Sequence, residues 1–249
     1  MPIFHQHKDD PITEHQTRKF TRRAIVLGST AAALAGCATT AQSPEQTAIL
    51  AEPTPVAPLM YAALPTEQFP VPAVDISQID PRFWRQDIDY ETNEKTGTLI
   101  VDTPNKYLYH VHSGGRATRY GIGVGREGFA WAGRAVVAYK RKWPRWTPPD
   151  SMVARQPELR PYSVANGGMD PGLRNPLGAR ALYIHENGVD TLYRLHGTPQ
   201  ANSIGKAVSS GCIRLLNQDV IHLHDTVTDG SSIVVIPDPS VTPLLVGSA

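Results

Sequence analysis

Cysteine is almost absent from this chain. Two residues in 249, Cys37 and Cys212, cannot make a disulfide scaffold. Net charge is almost absent too. Lys and Arg number 24 against 23 Asp and Glu, so there is no basic excess of the kind a nucleic-acid binder presents. The apolar stretch Ala24 to Ala35 carries no charge but runs only 12 residues. A bilayer span needs about 20. No internal repeat is visible. What is present points elsewhere. A hydrophobic share of 41% is too high for a wholly disordered chain. Gly 20 and Pro 22 suit many short strands and loops better than a helical bundle. The length fits one large domain, or one medium domain with appendages.

The N-terminus reads as an address. Arg18, Lys19, Arg22 and Arg23 precede the short apolar run, and small residues follow it. Together these read as a secretory signal. Thr21-Arg22-Arg23-Ala24-Ile25-Val26 looks like a twin-arginine export signal, although paired arginines also occur in ordinary signals. Leu34-Ala35-Gly36-Cys37 resembles a bacterial lipoprotein box, with Cys37 as the lipidated first residue. The competing cut lies after Ala33-Leu34-Ala35, a small-x-small site. Residues 1–37 are therefore expected to be a signal peptide. Residues 38–92 hold Pro53, Pro55, Pro58, Pro65, Pro70 and Pro72 and show no apolar period. They are expected to be a tether and lead-in. Residues 93–238 are expected to form the catalytic domain, and 239–249 a tail.

That domain reads as strands. Gly97 to Asp102 and Tyr107 to His112 flank the turn cluster Thr103-Pro104-Asn105-Lys106 and predict a hairpin. Arg116 to Val124 and Ala135 to Lys140 predict further strands. Ala181 to Glu186 and Val189 to Leu195 flank Asn187-Gly188, a strong hairpin signal. Ser232 to Ile236 predicts a last buried strand. One helix is expected over about Gln218 to Thr228, capped by Asn217, with Asp219 in its first turn and Val220, Leu223 and Val227 as its apolar side. The expected fold is mainly β: a sandwich or a partly closed barrel with one short helix.

Cys212 is the thiol that remains if Cys37 is lipidated or removed. A free cysteine is often a small buried hydrophobe. In an exported protein an unpaired thiol is also a candidate reactive group. Val208-Ser209-Ser210-Gly211-Cys212-Ile213-Arg214-Leu215 puts small residues before the sulfur, and glycine lets a backbone N–H approach a reacting carbonyl. A thiol near pKa 8.5 needs a base or a cationic neighbour. The candidates are His110, His112, His185, His196, His222 and His224. His196 ends a predicted strand, where sites often sit. His222 and His224 cannot share a helix face. His110 and His112 share a strand face, and would suit a metal only if a partner strand offered more ligands.

His196-Gly197-Thr198, followed after a short loop by Ser209-Ser210-Gly211-Cys212-Ile213-Arg214-Leu215, resembles the signature of the L,D-transpeptidase (YkuD-type) catalytic domain. Asn175-Pro176-Leu177-Gly178-Ala179-Arg180-Ala181-Leu182, Ile204-Gly205 and Asn217-x-Asp219 are also similar to that family. Ser210 departs from it, since many members carry histidine or arginine there.

The resemblance implies a reaction on peptidoglycan stem peptides. Cys212 would attack the carbonyl of the third stem residue, D-alanine would leave, and a thioester would remain. A second stem amine would then form a 3→3 crosslink, or an outer-membrane protein would be attached to the wall. It implies His196 as proton donor and acceptor, Gly197 as the backbone that orients it, and Gly211 and Cys212 as oxyanion N–H groups. Arg214, Ser209, Ser210 and Asn217 are candidate substrate contacts, with Arg214 equally readable as a structural bridge between loops. No cofactor, metal or nucleic acid is expected, and membrane contact only through an N-terminal lipid. The place expected is the periplasm, at the outer membrane, because Ala38 rather than aspartate follows Cys37. A hydrolase using the same thioester and a non-catalytic wall-binding lipoprotein are the alternatives. Trp131, Trp143, Trp146 and Tyr162, in a proline-rich stretch with Arg141, Lys142 and Arg145, read as groove wall or as packing.

Overall fold

The computed structural model describes residues 58–125, 132–209 and 212–239. The signal segment, the lipoprotein box, residues 240–249, Trp131, Ser210 and Gly211 lie outside the described residues. The chain first runs through three single 3-10 turns, then β1 (Gln86–Asp89), β2 (Leu99–Asp102), β3 (Tyr107–His112), β4 (Arg116–Gly121) and β5 (Val124–Gly125). Next come β6 (Gly133–Lys142), α1 (Asp150–Arg155), β7 (Arg180–Glu186) and β8 (Val189–Thr198). β9 (Ala207–Ser209), β10 (Ile213–Leu216), α2 (Asn217–Thr226) and β11 (Ser232–Ile236) complete it.

Nine strands form one sheet in the order β1-β4-β3-β2-β11-β6-β7-β8-β10, and β5 pairs with β9. The sheet stays open, with β1 and β10 as its edges. The mainly β expectation is met without barrel closure. Both predicted hairpins form. Asn187 and Gly188 take φ of 51° and 82°, and Glu186 pairs with Val189 across them. Two positive φ values in a two-residue loop suit the twist of the flanking strands.

The core follows from strand alternation. Leu99 and Val101 of β2, Leu195 of β8, Ile213 and Leu215 of β10, and Ile233 and Val235 of β11 meet Val220 and Leu223 of α2 and Val227 at its C-cap in one buried cluster. Each such side chain contributes roughly 1.5–3 kcal/mol of transfer free energy. The helix cap departs from expectation. Leu216 is the N-cap and makes no side-chain cap bond. Asn217 is the first helical residue, and its Oδ1 accepts the Ala179 N–H at 3.0 Å. A second helix, α1, and 3-10 turns over 157–166 occupy the proline-rich stretch that had suggested no helix.

The largest departure concerns the expected tether. From residue 58 the segment packs on the domain. Tyr61 is fully buried, with Ile79, Phe83, Ile204 and Leu216. Val71 packs with Trp143 and Ala179. Glu67 accepts hydrogen bonds from both terminal nitrogens of Arg180, at 2.9 and 2.6 Å, and from Trp143 Nε1 at 2.9 Å. The Gln218 side chain donates to the Ala62 and Pro72 carbonyls. The apolar residues of this strap are spaced irregularly between prolines. Each fills its own socket, so no helix or strand period announces them.

Candidate active site

β8 and β10 run parallel, with Ile213 opposite Leu195 and Arg214 opposite His196. Leu195 and Ile213 point into the core. Alternation therefore puts His196 and Arg214 on the opposite face, and Arg194 and Cys212 with them. The same face continues across β7 and β6, where Ala181 pairs with His196 and Tyr183 with Arg194, and Tyr139 and Arg141 of β6 pair with Tyr183 and Ala181. The imidazole on β8 and the thiol just before β10 are thus two residues apart along the direction of the ladder.

His196 is 5% exposed. Its Nδ1 lies 2.7 Å from the Gly197 carbonyl oxygen. Burial pulls its pKa down to about 4; the carbonyls of Gly197 and Pro176 oppose this, and the charges of Arg214 and Arg194 add to it. Cys212 is partly exposed, and its Sγ lies 4.0 Å from the Leu192 carbonyl. Burial of the sulfur pushes the thiol up, against the Arg194 N–H and the charges of Arg194 and Arg214. Both directions favour a resting pair of neutral thiol and neutral imidazole.

Separated motifs meet behind the histidine. Gly178 has φ of 60°, and a Cβ there would run into Asn217 Oδ1 and the Gly197 backbone. A Cβ on Gly197 would also meet Asn217 Oδ1. The Asn-Pro-Leu-Gly turn, the His-Gly step and the start of α2 therefore lock together through one amide. Asn175, 1% exposed, fixes the turn by donating to the Pro144 and Asp170 carbonyls and accepting the Leu177 N–H.

Arg214 donates to Gln200 Oε1 at 3.0 Å, which ties it to the loop after β8. Ser209 ends β9, which pairs with β5. Asn217 is 5% exposed, and its Oδ1 accepts the Ala179 N–H. A cavity of about 270 Å³ opens beyond His196, between the strap (Val71, Asp75, Gln78) and Thr198, Gln200 and Asn217. Trp143 is 4% exposed and packs on Phe69, while the Trp146 ring stands 6.4 Å from that of Tyr162. The remaining histidines sit elsewhere. The rings of His110 and His112 stand 4.7 Å apart, and His222 Nδ1 bonds the Tyr120 hydroxyl. Among the described residues no three His, Cys, Asp or Glu are placed to hold a metal ion.

Sequence reasoning missed Arg194, Asp190 and Tyr183. Their clustering rests on the pairing of Tyr183 with Arg194 across β7 and β8, which sequence spacing does not show.

The family model for the YkuD L,D-transpeptidase catalytic domain matches residues 96–236. The chain belongs to that family. It is 32% identical over 57% of its length to the probable L,D-transpeptidase ErfK/SrfK of Escherichia coli, covering 44% of that relative. The chain spans under half the length of that relative and of the putative L,D-transpeptidase YqjB of Bacillus subtilis, 48% of which it covers. A solved L,D-transpeptidase from Mycobacterium smegmatis aligns at 19% identity over 56% of this chain and 58% of its own, with a TM-score of 0.41. A Brucella melitensis crystal structure described as a probable carnitine operon oxidoreductase is 42% identical over 65% of this chain and 99% of its own, with a TM-score of 0.45.

Proposed function

We propose that this chain is an exported cysteine transpeptidase acting on peptidoglycan stem peptides. The reading is supported by the parallel pairing that sets Arg214 opposite His196, with Cys212 just before β10, and by the Gly197 carbonyl at His196 Nδ1. That bond fixes the ring and leaves Nε2 as the nitrogen for proton transfer. As the sulfur attacks the stem carbonyl, its proton passes to His196. The leaving D-alanine amine takes that proton, and the acyl group remains on sulfur as a thioester. An incoming amine then attacks the thioester, gives its proton to His196, and releases the thiol. Two acyl transfers replace one harder step. Gly211 and Cys212 N–H groups are assigned to the oxyanion. Arg214 is assigned to a stem carboxylate, its fork suiting bidentate contact.

The acceptor in this reading is a second stem amine, giving a 3→3 crosslink, or the amine of an outer-membrane protein. Export by the N-terminal signal and lipid attachment at Cys37 would hold the domain beside its polymer. Purified muropeptides incubated with wild type and with Cys212→Ala test the reading by mass analysis. Crosslinked dimer from wild type and none from the variant are expected. Trimmed monomer alone would make the protein a hydrolase, and normal activity in Cys212→Ala would end the covalent reading. Acyl labelling lost in Cys37→Ala is the expected sign of the anchor; an unlabelled wild type would remove it.

A further inference from the structure

The β8 backbone leaves regular extended geometry beside the nucleophile. Leu192 has φ of 62°, and the β7–β8 register shifts between Tyr183 and His185. A left-handed backbone is strained for a leucine, whose Cβ crowds the following carbonyl. Asp190 holds it there. One carboxylate oxygen accepts the Leu192 N–H at 2.8 Å, and the two oxygens take the terminal nitrogens of Arg194 at 2.7 and 2.8 Å. Arg194 also donates to the Tyr193 carbonyl at 2.9 Å. Its guanidinium lies 4.4 Å from the centre of the Tyr183 ring. Tyr183 stacks on Tyr139 at 4.3 Å, and Arg141 sits 5.2 Å from the Tyr139 ring. Cation, ring, ring and cation thus form one stack across three strands.

The inner end of that stack belongs to the β8 residue whose register position neighbours Cys212. Arg194 and Cys212 are the residues just before the Leu195–Ile213 pair on two parallel strands. The bulge places the Leu192 carbonyl 4.0 Å from the sulfur. Among the described residues, charged and titratable groups around Cys212 include Arg194 and, two residues on, His196 from β8, and Arg214 from β10, with Asp190 behind Arg194. Arg214 turns its head toward Gln200 of the loop. Arg194 is held by three partners: the Asp190 carboxylate, the Tyr193 carbonyl and the Tyr183 ring. Its backbone N–H and its charge both favour the thiolate.

We propose that Arg194, clamped by Asp190 and the Tyr183 ring, is a positioning residue that stabilises the Cys212 thiolate at the β8 bulge. This rests on Cys212 being the nucleophile. The step it assists is the transfer of the thiol proton to His196 as the sulfur attacks. A guanidinium fixed near the sulfur lowers the cost of the developing negative charge without moving.

The test reads the thiol directly. Alkylation of Cys212 by iodoacetamide is followed by intact mass across pH in the whole protein, alongside melting temperatures. Arg194→Met is expected to raise the midpoint by about one unit, since an adjacent opposite charge shifts a pKa by about 1–3. That is about tenfold less thiolate below the midpoint. Arg194→Lys, which keeps the charge, should restore most of the reactivity. Arg141→Met, which removes the outer cation of the same stack, should leave the midpoint unchanged. If Arg194→Met does not fold, Arg194→Gln is read instead. A wild-type midpoint in a folded Met or Gln variant would overturn the proposal, and so would an equal shift in Arg141→Met. Failure of the nucleophile reading is separate: it would show as muropeptide turnover by Cys212→Ala.

Discussion

Tyr61→Ala tests whether the strap is part of the folded domain. Tyr61 is fully buried, and its hydroxyl accepts the Arg85 N–H at 2.7 Å and donates to Asp219 Oδ2 at 3.3 Å. Truncating a buried aromatic costs about 3–5 kcal/mol. Losing the acceptor for a buried N–H adds about 1–3 kcal/mol if no water replaces it. Asp219 makes the lower end of the sum secure. Arg85 Nη1 lies 3.4 Å from its Oδ1, but neither atom has a hydrogen-bond partner, so the contact is one of charge alone. Burial lifts Asp219 to about pKa 7, with Arg85 and Tyr61 pulling the other way. Removing the tyrosine hydroxyl raises it further. Because the folded pKa lies above the unfolded one, this group stabilises the fold only while protonated, and the stability is lost as pH rises toward 7. In a domain of this size one kcal/mol moves the melting temperature by about 2–4 °C. Tyr61→Ala should therefore melt roughly 8–32 °C lower by calorimetry, and the deficit should grow with pH. Leu59→Ala, at a residue 93% exposed, should stay within about 0.5 kcal/mol of wild type. Equal melting of Tyr61→Ala and wild type would show that residues 58–85 are a tether after all.

His196→Ala is expected to slow turnover by about 10²–10⁴, the range for a positioned general base. A change in melting temperature alone would make the residue structural. Since burial holds His196 near pKa 4, the active neutral ring persists as pH falls and is lost only through about pH 4; an acid limb in kcat/KM near 6.5 would contradict its buried setting. A carbapenem-type β-lactam should leave one adduct by intact mass, absent from Cys212→Ala. An adduct that persists in the variant would identify another nucleophile.

Where side-chain period and turn chemistry agree, the fold was legible. Tyr107–His112 and Ser232–Ile236 form with the expected bounds, and Asn187-Gly188 turns between its strands. The apolar side of α2 is the one read from Val220, Leu223 and Val227. β1 was not legible, because Gln86–Asp89 is an exposed edge strand without an apolar alternation. The strap was hidden by prolines that suggest an extended chain and by anchors that obey no period. At the site, the residue types around Cys212 and His196 could be read, since thiol, imidazole and glycine declare their chemistry locally. The Arg194 clamp could not, because it depends on which β7 residue faces which β8 residue. Asn217 was expected as a cap and possible substrate contact. Its amide is instead the peg between two glycines that leave room for it.

Parallel pairing of β8 with β10 obliges the chain to travel out and return before Cys212 can lie beside its partner strand. The spacing of sulfur and imidazole is therefore written in the ladder and not in residues 199–211 that make the journey. Gly123 pins β10 from its other side by exchanging two backbone hydrogen bonds with Arg214, at 2.9 and 2.8 Å. The connecting segment is anchored as well, by Ile204 in the buried cluster with Tyr61 and by β9 on β5, so length and composition are free to vary only between those anchors. A single residue inserted inside β10 would instead exchange its core-facing and outward-facing side chains.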